Sequence, residues 1–345
     1  MRSVPTPFRT LAFSVLCCCL QFYAASARAD GSSVEGLKNC RSISEAGLRL
    51  ACYDALPARH SDDPPAVASI AAKNPESLLG KAWELDAGQR DRILRIRPYK
   101  PVYLLPYFHA SQPNRAPASP SPGHAQTTPL SLSADEAKLQ FSLKSRLATD
   151  LIAGNGDLWF GYTQSSRWQV FNDGFSRPFR ETNHEPELML IWRSDYEIAG
   201  WRGRFFNLAI NHQSNGRSLP LSRSWNRVML SADLERADWT LSLRPWWRVP
   251  ESAEKDDNPD IARYLGRADL NLVRRWGGHQ FSLTMRHSLR SGRDSHGAVQ
   301  LDWGFPMAGD LRGHLQWFSG YGESLIDYNH RANYFGLGVS LLEWY

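Results

Sequence analysis

Residues 205–227 read FFNLAINHQSNGRSLPLSRSWNR, two runs of alternating character joined by a turn-rich segment. Side chains of a β-strand alternate between its faces, so a strand over 205–215 has one largely apolar face. That face carries Phe206, Leu208, Ile210, His212 and Ser214. The opposite face carries Asn207, Ala209, Asn211 and Gln213. A sheet that is apolar outside and polar inside is typical of a transmembrane β-barrel.

The second run, over 224–234, alternates in the same way and places Asn226 on its apolar face. A serine is a poor nucleophile unless a base lies within hydrogen-bond reach and a third group fixes the tautomer of that base. His212 lies two residues before Ser214, about 7 Å away on the same face. Asn226 on the next strand would accept from the second imidazole nitrogen. The pattern predicts a Ser–His–Asn catalytic triad, although each residue alone also fits a solvated position at a barrel rim.

Alternation elsewhere predicts an all-β fold, an antiparallel transmembrane β-barrel of about 12 strands. The candidate strands are Pro101–Ala110, Leu139–Leu151, Asp157–Val170, Glu185–Arg193, Arg204–Asn215, Ser224–Glu235, Thr240–Val249, Ile261–Arg275, His279–Leu289, Gly297–Phe305, Leu311–Gly320 and Asn333–Tyr345. Short connections such as AGNGD and GGH alternate with long polar ones, as in outer-membrane barrels. The 13 Trp and 12 Tyr would fill two interfacial aromatic girdles. A soluble β-sandwich would explain the alternation but not the connection lengths.

The chain before the barrel divides into two predicted parts. Residues 1–29 read as a secretory signal peptide, because two arginines precede an apolar run and ARA forms a cleavage pattern. A membrane anchor is the alternative, but the run is shorter than the ~20 residues of a spanning helix. Residues 30–95 are predicted to form a small periplasmic region with a linker and a short amphipathic helix within Pro75–Arg92. The barrel would then occupy residues 96–345.

Two cysteines, Cys40 and Cys52, lie outside the predicted signal peptide. In an exported protein such a pair is most simply a disulfide. Two free buried thiols are the alternative. Metal binding is less favoured, because no histidine or second cysteine pair accompanies them.

Several linked blocks carry a family resemblance. They are SRPFRETNHEPEL (176–188), WRGRFFNLAINHQSNG (201–216), SRSWNR (222–227), DDNPDIARYLG (256–266) and SGYGESLIDYN (319–329). In this order they resemble outer membrane phospholipase A, of the phospholipase A1 family. The resemblance implies a calcium-dependent hydrolase on a twelve-stranded barrel that cleaves acyl esters of glycerophospholipids, with phospholipase A1, phospholipase A2 and lysophospholipase activity. It also implies an oxyanion-stabilising backbone N–H at Gly216.

The same resemblance implies the metal ligands. It assigns Ca²⁺ to the Ser222 side chain and the Arg217 carbonyl, with a carbonyl of Ser176 from the neighbouring subunit of an active homodimer. Asp257 is implied for an accessory calcium site, where Leu219 stands at a position that is Asp in some relatives. All these donors are oxygens, the ligands that Ca²⁺ prefers.

Charge and resemblance agree on a membrane setting. The net charge of +5 and the pI of about 9.0 suit an anionic membrane surface, and no nucleic-acid module is present to use them. We expect the chain in the lipopolysaccharide-containing outer membrane of a Gram-negative bacterium, with its N-terminal region periplasmic and membrane phospholipids as substrates. Arg217, Arg223 and Arg227 would bind lipid phosphates or lipopolysaccharide, or else keep the outer rim soluble. The competing functions are a non-catalytic porin-like or structural outer-membrane barrel and an inactive relative.

Overall fold

Antiparallel β-strands make up most of the structure. The computed structural model describes residues 40–54, 77–86, 88, 93–174, 179–342 and 344. The strands are β1 (Ile96–Pro98), β2 (Val102–Ala110), β3 (Asp135–Ala148), β4 (Asp157–Trp168), β5 (Phe179–Ile198), β6 (Trp201–Ser214), β7 (Ser224–Arg236), β8 (Trp239–Arg248), β9 (Ala268–Trp276), β10 (His279–His287), β11 (Gly297–Ala308), β12 (Leu311–Tyr321) and β13 (Arg331–Leu342). The helices are α1 (Ala46–Asp54), α2 (Leu78–Trp83), α3 (Ile261–Leu265) and a 3₁₀ turn (Gly292–Asp294).

The strands close into a barrel. From β2 onward each strand pairs antiparallel with the next, and β13 pairs back with β2. Strands β2 to β13 therefore form the closed twelve-stranded antiparallel barrel that the sequence predicts. Strand β1 pairs with β3 beyond the start of β2 and extends the wall at one end. Closure leaves none of the strands β2 to β13 at an open edge of the sheet, as a wall in hydrocarbon requires.

The two ends of the barrel differ in the length of their connections. One end, the short-turn end, has the connection 149–156 between β3 and β4 and two-residue turns at Ala199–Gly200, Ala237–Asp238, Gly277–Gly278 and Gly309–Asp310. Both residues of Ala199–Gly200 have positive φ, the hairpin turn geometry that matches strand twist. The other end, the long-loop end, carries the connections 111–134, 169–178, 215–223, 249–267, 288–296 and 322–330. This alternation confirms the predicted pattern.

The barrel wall is apolar outside and polar inside. In β6 the outward Phe206, Leu208 and Ile210 are exposed, whereas the inward Asn207 and Asn211 are buried. The lumen holds paired charges: Glu323 accepts from both Lys138 Nζ and Arg167 Nη2 at 2.7 Å. Similarly, Arg180 pairs with Glu136 at 2.8 Å. Buried charges need such partners, because desolvation without them is costly.

Helix α2 lies inside the short-turn end of the barrel. Leu79 is 0% and Trp83 6% exposed, and both belong to an apolar cluster with Trp159 and Phe205 on the inward faces of β4 and β6. The rings of Trp83 and Phe205 lie 5.2 Å apart. A sequence with apolar residues four apart presents them on one helical face, which here faces the wall.

Polar contacts hold α2 at both of its ends. The Ser77 hydroxyl and the Leu79 N–H donate to the Glu235 carboxylate at 2.7 and 3.1 Å. At the other end, Arg146 Nη2 donates to the Glu84 carbonyl at 2.7 Å. The Glu235 carboxylate thus accepts from the Leu79 N–H, one of the N–H groups that the start of a helix leaves without a partner. The prediction that all of residues 30–95 form a region outside the barrel is therefore wrong for this helix.

Helix α3 replaces the start of one predicted strand. Residues 261–275 were expected to be a single strand, but Ile261–Leu265 is helical and β9 begins at Ala268. Ile261 and Leu265 are spaced four apart and are both buried, so one face of a single helical turn satisfies them. Gly266, with φ +78°, ends the helix.

Residues 1–71 form a separate unit, of which 40–54 are described. Cys40 and Cys52 are joined by a disulfide with a Cα–Cα distance of 5.5 Å, so the disulfide alternative holds. The predicted signal peptide and the linker at 57–67 lie outside the described residues. Among the described helices, none is long and apolar enough to cross a membrane.

Candidate active site

The register of β6 and β7 brings the predicted imidazole and carboxamide together. His212 lies directly opposite Asn226. His212 Nδ1 donates to Asn226 Oδ1 at 2.8 Å. This is the hydrogen bond that the triad prediction requires, because it fixes the proton on Nδ1 and leaves Nε2 as the basic nitrogen. Both residues are half-buried on the outward face near the long-loop end.

Ser214 ends strand β6 and shares the outward face with His212 because the two are two residues apart. In the described part of the chain, no hydrogen bond joins the Ser214 hydroxyl to the His212 ring. Catalytic hydrogen bonds of this kind are often long in the absence of substrate and tighten only when substrate binds. On its other side, Ser214 lies opposite His184 of β5.

His184 is a second imidazole that sequence reasoning missed. Its Nδ1 is hydrogen-bonded to the Tyr162 hydroxyl at 2.8 Å. His184 was not predicted as a site residue because it lies in the polar end of β5, outside the segment that was predicted to be a strand. Of these two, His212 is the imidazole hydrogen-bonded to a carboxamide, which is the contact that the triad prediction requires.

The loop after Ser214 is fastened from inside the barrel by Asn215. This side chain is 3% exposed. Its Nδ2 donates to the Leu221 carbonyl at 2.8 Å, and its Oδ1 accepts from Arg223 N at 3.0 Å. Gly216 follows with φ +61°, a conformation that favours glycine. Asn215 was not predicted as a site residue, although it lies within the block WRGRFFNLAINHQSNG (201–216).

A further missed residue touches Asn226. The amide Nδ2 of Asn226 donates to Glu251 Oε1 at 2.6 Å. Glu251 follows β8 in the loop 249–267, where Val249 N donates to the Asn226 carbonyl at 2.8 Å. No periodicity marks a loop glutamate, so the sequence offered no signal for this contact.

Two of the implied calcium ligands lie in contact. The Ser222 hydroxyl donates to Asp257 Oδ2 at 2.7 Å. His124 Nε2 donates to the other oxygen of Asp257 at 3.0 Å. Arg217 is in the same loop as Ser222, and Ser176 lies outside the described residues.

The donor set of this region fits calcium. A hydroxyl, a carboxylate and backbone carbonyls are the oxygen ligands that Ca²⁺ takes. Within the described ranges no group of three or more His, Cys, Asp or Glu side chains could hold a metal by itself. Leu219, 59% exposed, contributes no oxygen from its side chain. Any metal here would thus depend on hydroxyl and carbonyl oxygens together with the single carboxylate of Asp257.

Two of the three arginines considered for lipid binding are structural. Arg223 is 0% exposed, and its Nη2 donates to the His124 carbonyl at 3.1 Å. Burial lowers the pKa of Arg223 from its usual value. Arg227 points into the lumen and pairs with Glu185 at 3.0 Å. Only Arg217 of the three is exposed, so the expectation fails for Arg223 and Arg227.

Comparison with known proteins gives consistent matches. The model of the phospholipase A1 family matches residues 79–341. Phospholipase A1 of Escherichia coli K12 is 38% identical over 253 residues, 73% of this chain and 83% of the relative. The crystal structure of the Salmonella typhi outer membrane phospholipase dimer with bound calcium has a TM-score of 0.65 and 35% identity, covering 73% of this chain and 94% of that one.

A third similar structure is that of a relative with a substituted asparagine. The structure of E. coli outer membrane phospholipase A with an active-site asparagine replaced by alanine has a TM-score of 0.67 and 33% identity. It covers 78% of this chain and all of that one.

Proposed function

The chain belongs to the phospholipase A1 family and is a phospholipase, and we propose that it cleaves acyl esters of glycerophospholipids with a triad of Ser214, His212 and Asn226. One observation carries the proposal: His212 Nδ1 donates to Asn226 Oδ1 at 2.8 Å on the outward face that also bears Ser214. The active-site asparagine of the E. coli relative supports the role of Asn226.

The reaction proceeds through an acyl-enzyme. Ser214 Oγ attacks the ester carbonyl carbon while His212 Nε2 takes its proton. The imidazolium then protonates the departing glycerol oxygen as the carbon–oxygen bond breaks. Water hydrolyses the acyl-serine by the same proton route, which releases the fatty acid. Asn226 holds the ring by accepting from Nδ1.

The oxyanion is stabilised from the loop 215–223. The backbone N–H of Gly216, two residues after the nucleophile, donates to it. Ser222 Oγ and the Arg217 carbonyl would hold Ca²⁺, with the carbonyl of Ser176 of the partner subunit, and Asp257 would serve an accessory site. When bound, the ion supplies positive charge beside the oxyanion. The calcium-bound dimer of the S. typhi relative supports this assignment.

The setting follows from the outward position of the site. The barrel is of the outer-membrane type, and we place its long-loop end at the outer leaflet, so that substrates arrive laterally from the bilayer. A lone barrel has no wall opposite the outward Ser214, whereas a second copy would enclose an acyl chain and complete the calcium site. We therefore propose an active homodimer, with phospholipase A1, phospholipase A2 and lysophospholipase activity. Residues 1–29 act as a signal peptide and the following region is periplasmic.

Fatty-acid release by the refolded full chain in phospholipid–detergent micelles with Ca²⁺ tests the proposal. Ser214→Ala should lower the rate by at least about a thousandfold, because it removes the nucleophile. Ser218→Ala, which changes an exposed serine of the loop 215–223 after β6, is the matched control and should retain the wild-type rate. Circular dichroism checks that both fold. Full activity in Ser214→Ala would refute the triad, and ion conduction without lipid hydrolysis would favour a porin.

A further inference from the structure

The role of Asn226 depends on which way its amide points. An asparagine amide has an acceptor oxygen and a donor NH₂ group at nearly the same positions. If the oxygen faces His212, the ring must carry its proton on Nδ1, and Nε2 is free to act as the base. If the NH₂ group faced His212, the ring would be fixed in the opposite tautomer and Nε2 would be protonated. Catalysis therefore requires one of two nearly isosteric orientations.

We propose that Glu251 is a positioning residue that selects this orientation, an inference that rests on the proposed function. Its Oε1 lies 2.6 Å from Asn226 Nδ2. An ionised carboxylate only accepts hydrogen bonds, so it binds the NH₂ side of the amide and repels the oxygen side. The direction of the whole chain is then fixed: Asn226 donates to Glu251, His212 donates to Asn226, and Nε2 is left without a proton, as a base must be.

The backbone holds Glu251 where this selection is possible. Val249 N donates to the carbonyl of Asn226 at 2.8 Å, which continues the β7–β8 pairing past the end of β8. One residue earlier, Arg248 Nη1 donates to the Pro259 carbonyl at 3.1 Å, so the strand end is tied to the far side of its loop. Glu251 is half-buried beside the outward face of β7. The carboxylate therefore reaches Asn226 from an anchored segment.

The contact between Glu251 and Asn226 also places a negative charge next to a triad that has none of its own. An Asn stabilises the imidazolium formed during proton transfer less than an Asp would, since it carries no charge. Glu251 places a carboxylate one amide beyond His212, and hydrogen bonds in a chain polarise one another. Glu251 thus acts through Asn226 on the base, without touching the substrate.

The first experiment is a double-mutant cycle on fatty-acid release in mixed micelles. Glu251→Ala should lower kcat about tenfold and leave KM unchanged. A tenfold change corresponds to the lower end of the free-energy contribution of a hydrogen bond to a charged group. In an Asn226→Ala background the same change should have no further effect, because Glu251 acts only through the amide. Glu254→Ala, an exposed glutamate of the same loop, is the control and should match the wild type.

A charge exchange separates positioning from loop anchoring. Asn226→Asp alone should be strongly impaired, because two carboxylates would face each other. Adding Glu251→Gln supplies an NH₂ donor to the new carboxylate and should raise kcat at least about fivefold over Asn226→Asp. A residue that merely anchors the loop would give no such rescue.

The outcomes distinguish this inference from the proposed function. If Ser214→Ala is inactive but Glu251→Ala has the wild-type kcat, only the role of Glu251 is refuted. An undiminished effect of Glu251→Ala in the Asn226→Ala background, or absence of the rescue, likewise overturns it. Full activity of Ser214→Ala overturns both.

Discussion

Replacing Leu79 by alanine tests whether α2 is an integral part of the barrel. Leu79 is 0% exposed and packs in the apolar cluster at the short-turn end. Truncation of a fully buried leucine removes its transfer free energy and leaves a cavity, which together cost about 2.7–5 kcal/mol. We expect the free energy of unfolding to fall by this amount, which lowers the ratio of folded to unfolded protein by roughly a hundredfold to several thousandfold.

The matched control is Leu50→Ala in α1. Leu50 is also a helical leucine but is 64% exposed, so its truncation should change stability by less than about 0.5 kcal/mol. Urea titration of the refolded chain in detergent, followed by far-ultraviolet circular dichroism, measures both variants. The reaction at the long-loop end should keep its kcat in folded Leu79→Ala protein. Equal stability of the two variants would refute the reasoning and make α2 a loosely attached segment.

Four further predictions follow from the site and its surroundings. Asn226→Ala should lower kcat by roughly tenfold to a hundredfold, less than Ser214→Ala, because His212 keeps its chemistry and loses one hydrogen bond; steady-state kinetics decide, and losses equal to those of Ser214→Ala would contradict it. Chelation by EDTA should stop fatty-acid release and added Ca²⁺ should restore it; activity that survives EDTA dialysis argues against the metal. A Cys40→Ser/Cys52→Ser variant should keep kcat, because the disulfide lies outside the residues of the site; a lost kcat in folded protein would show a role for that unit in catalysis. Burial alone would raise the pKa of Glu323, but Arg167 and Lys138 hold that pKa well below its usual range. Its stabilising contribution is therefore present above the unfolded pKa of about 4.3 and is lost as the pH falls through the lower folded value. Glu323→Gln should remove this contribution and lower the free energy of unfolding of the barrel by about 3–5 kcal/mol at pH 7. Urea titration measures the difference between the variant and the wild type, which should be smaller at pH 3 than at pH 7.

The two-residue period of side-chain alternation made the barrel predictable. The same alternation also explains why some strand bounds could not be predicted. Strand β6 was predicted within a few residues of its ends, since its outward face crosses the apolar layer. Strand β5 extends from Phe179 to Ile198, well beyond the predicted segment. A strand of 20 residues is longer than the roughly 9–11 residues that cross the hydrocarbon, so its ends need no apolar alternation while they keep their ladder hydrogen bonds. Alternation marks the part of a strand that lies in lipid, not the whole strand.

The location of α2 was not predictable from its own residues. Its apolar face indicates a helix that must pack somewhere, but an amphipathic pattern does not name the partner. A signal was present in the wall: Trp159, Met189 and Phe205 put large apolar side chains on inward faces that are otherwise polar. An apolar patch inside a polar lumen is stabilised when an apolar element packs on it, and α2 packs there.

The alternation of β6 and β7 also explains how an outward-facing site can be rigid. The side chains of the proposed triad, His212, Ser214 and Asn226, occupy outward positions, where lipid offers no polar contacts to orient them. Residues between them point inward and are fastened there: Trp225 Nε1 donates to Gln213 Oε1 at 2.8 Å. Precise placement of catalytic groups needs support from groups whose own positions are fixed. The lumen network supplies that support through the backbone, so loss of an inward partner should lower kcat without changing any group that touches substrate.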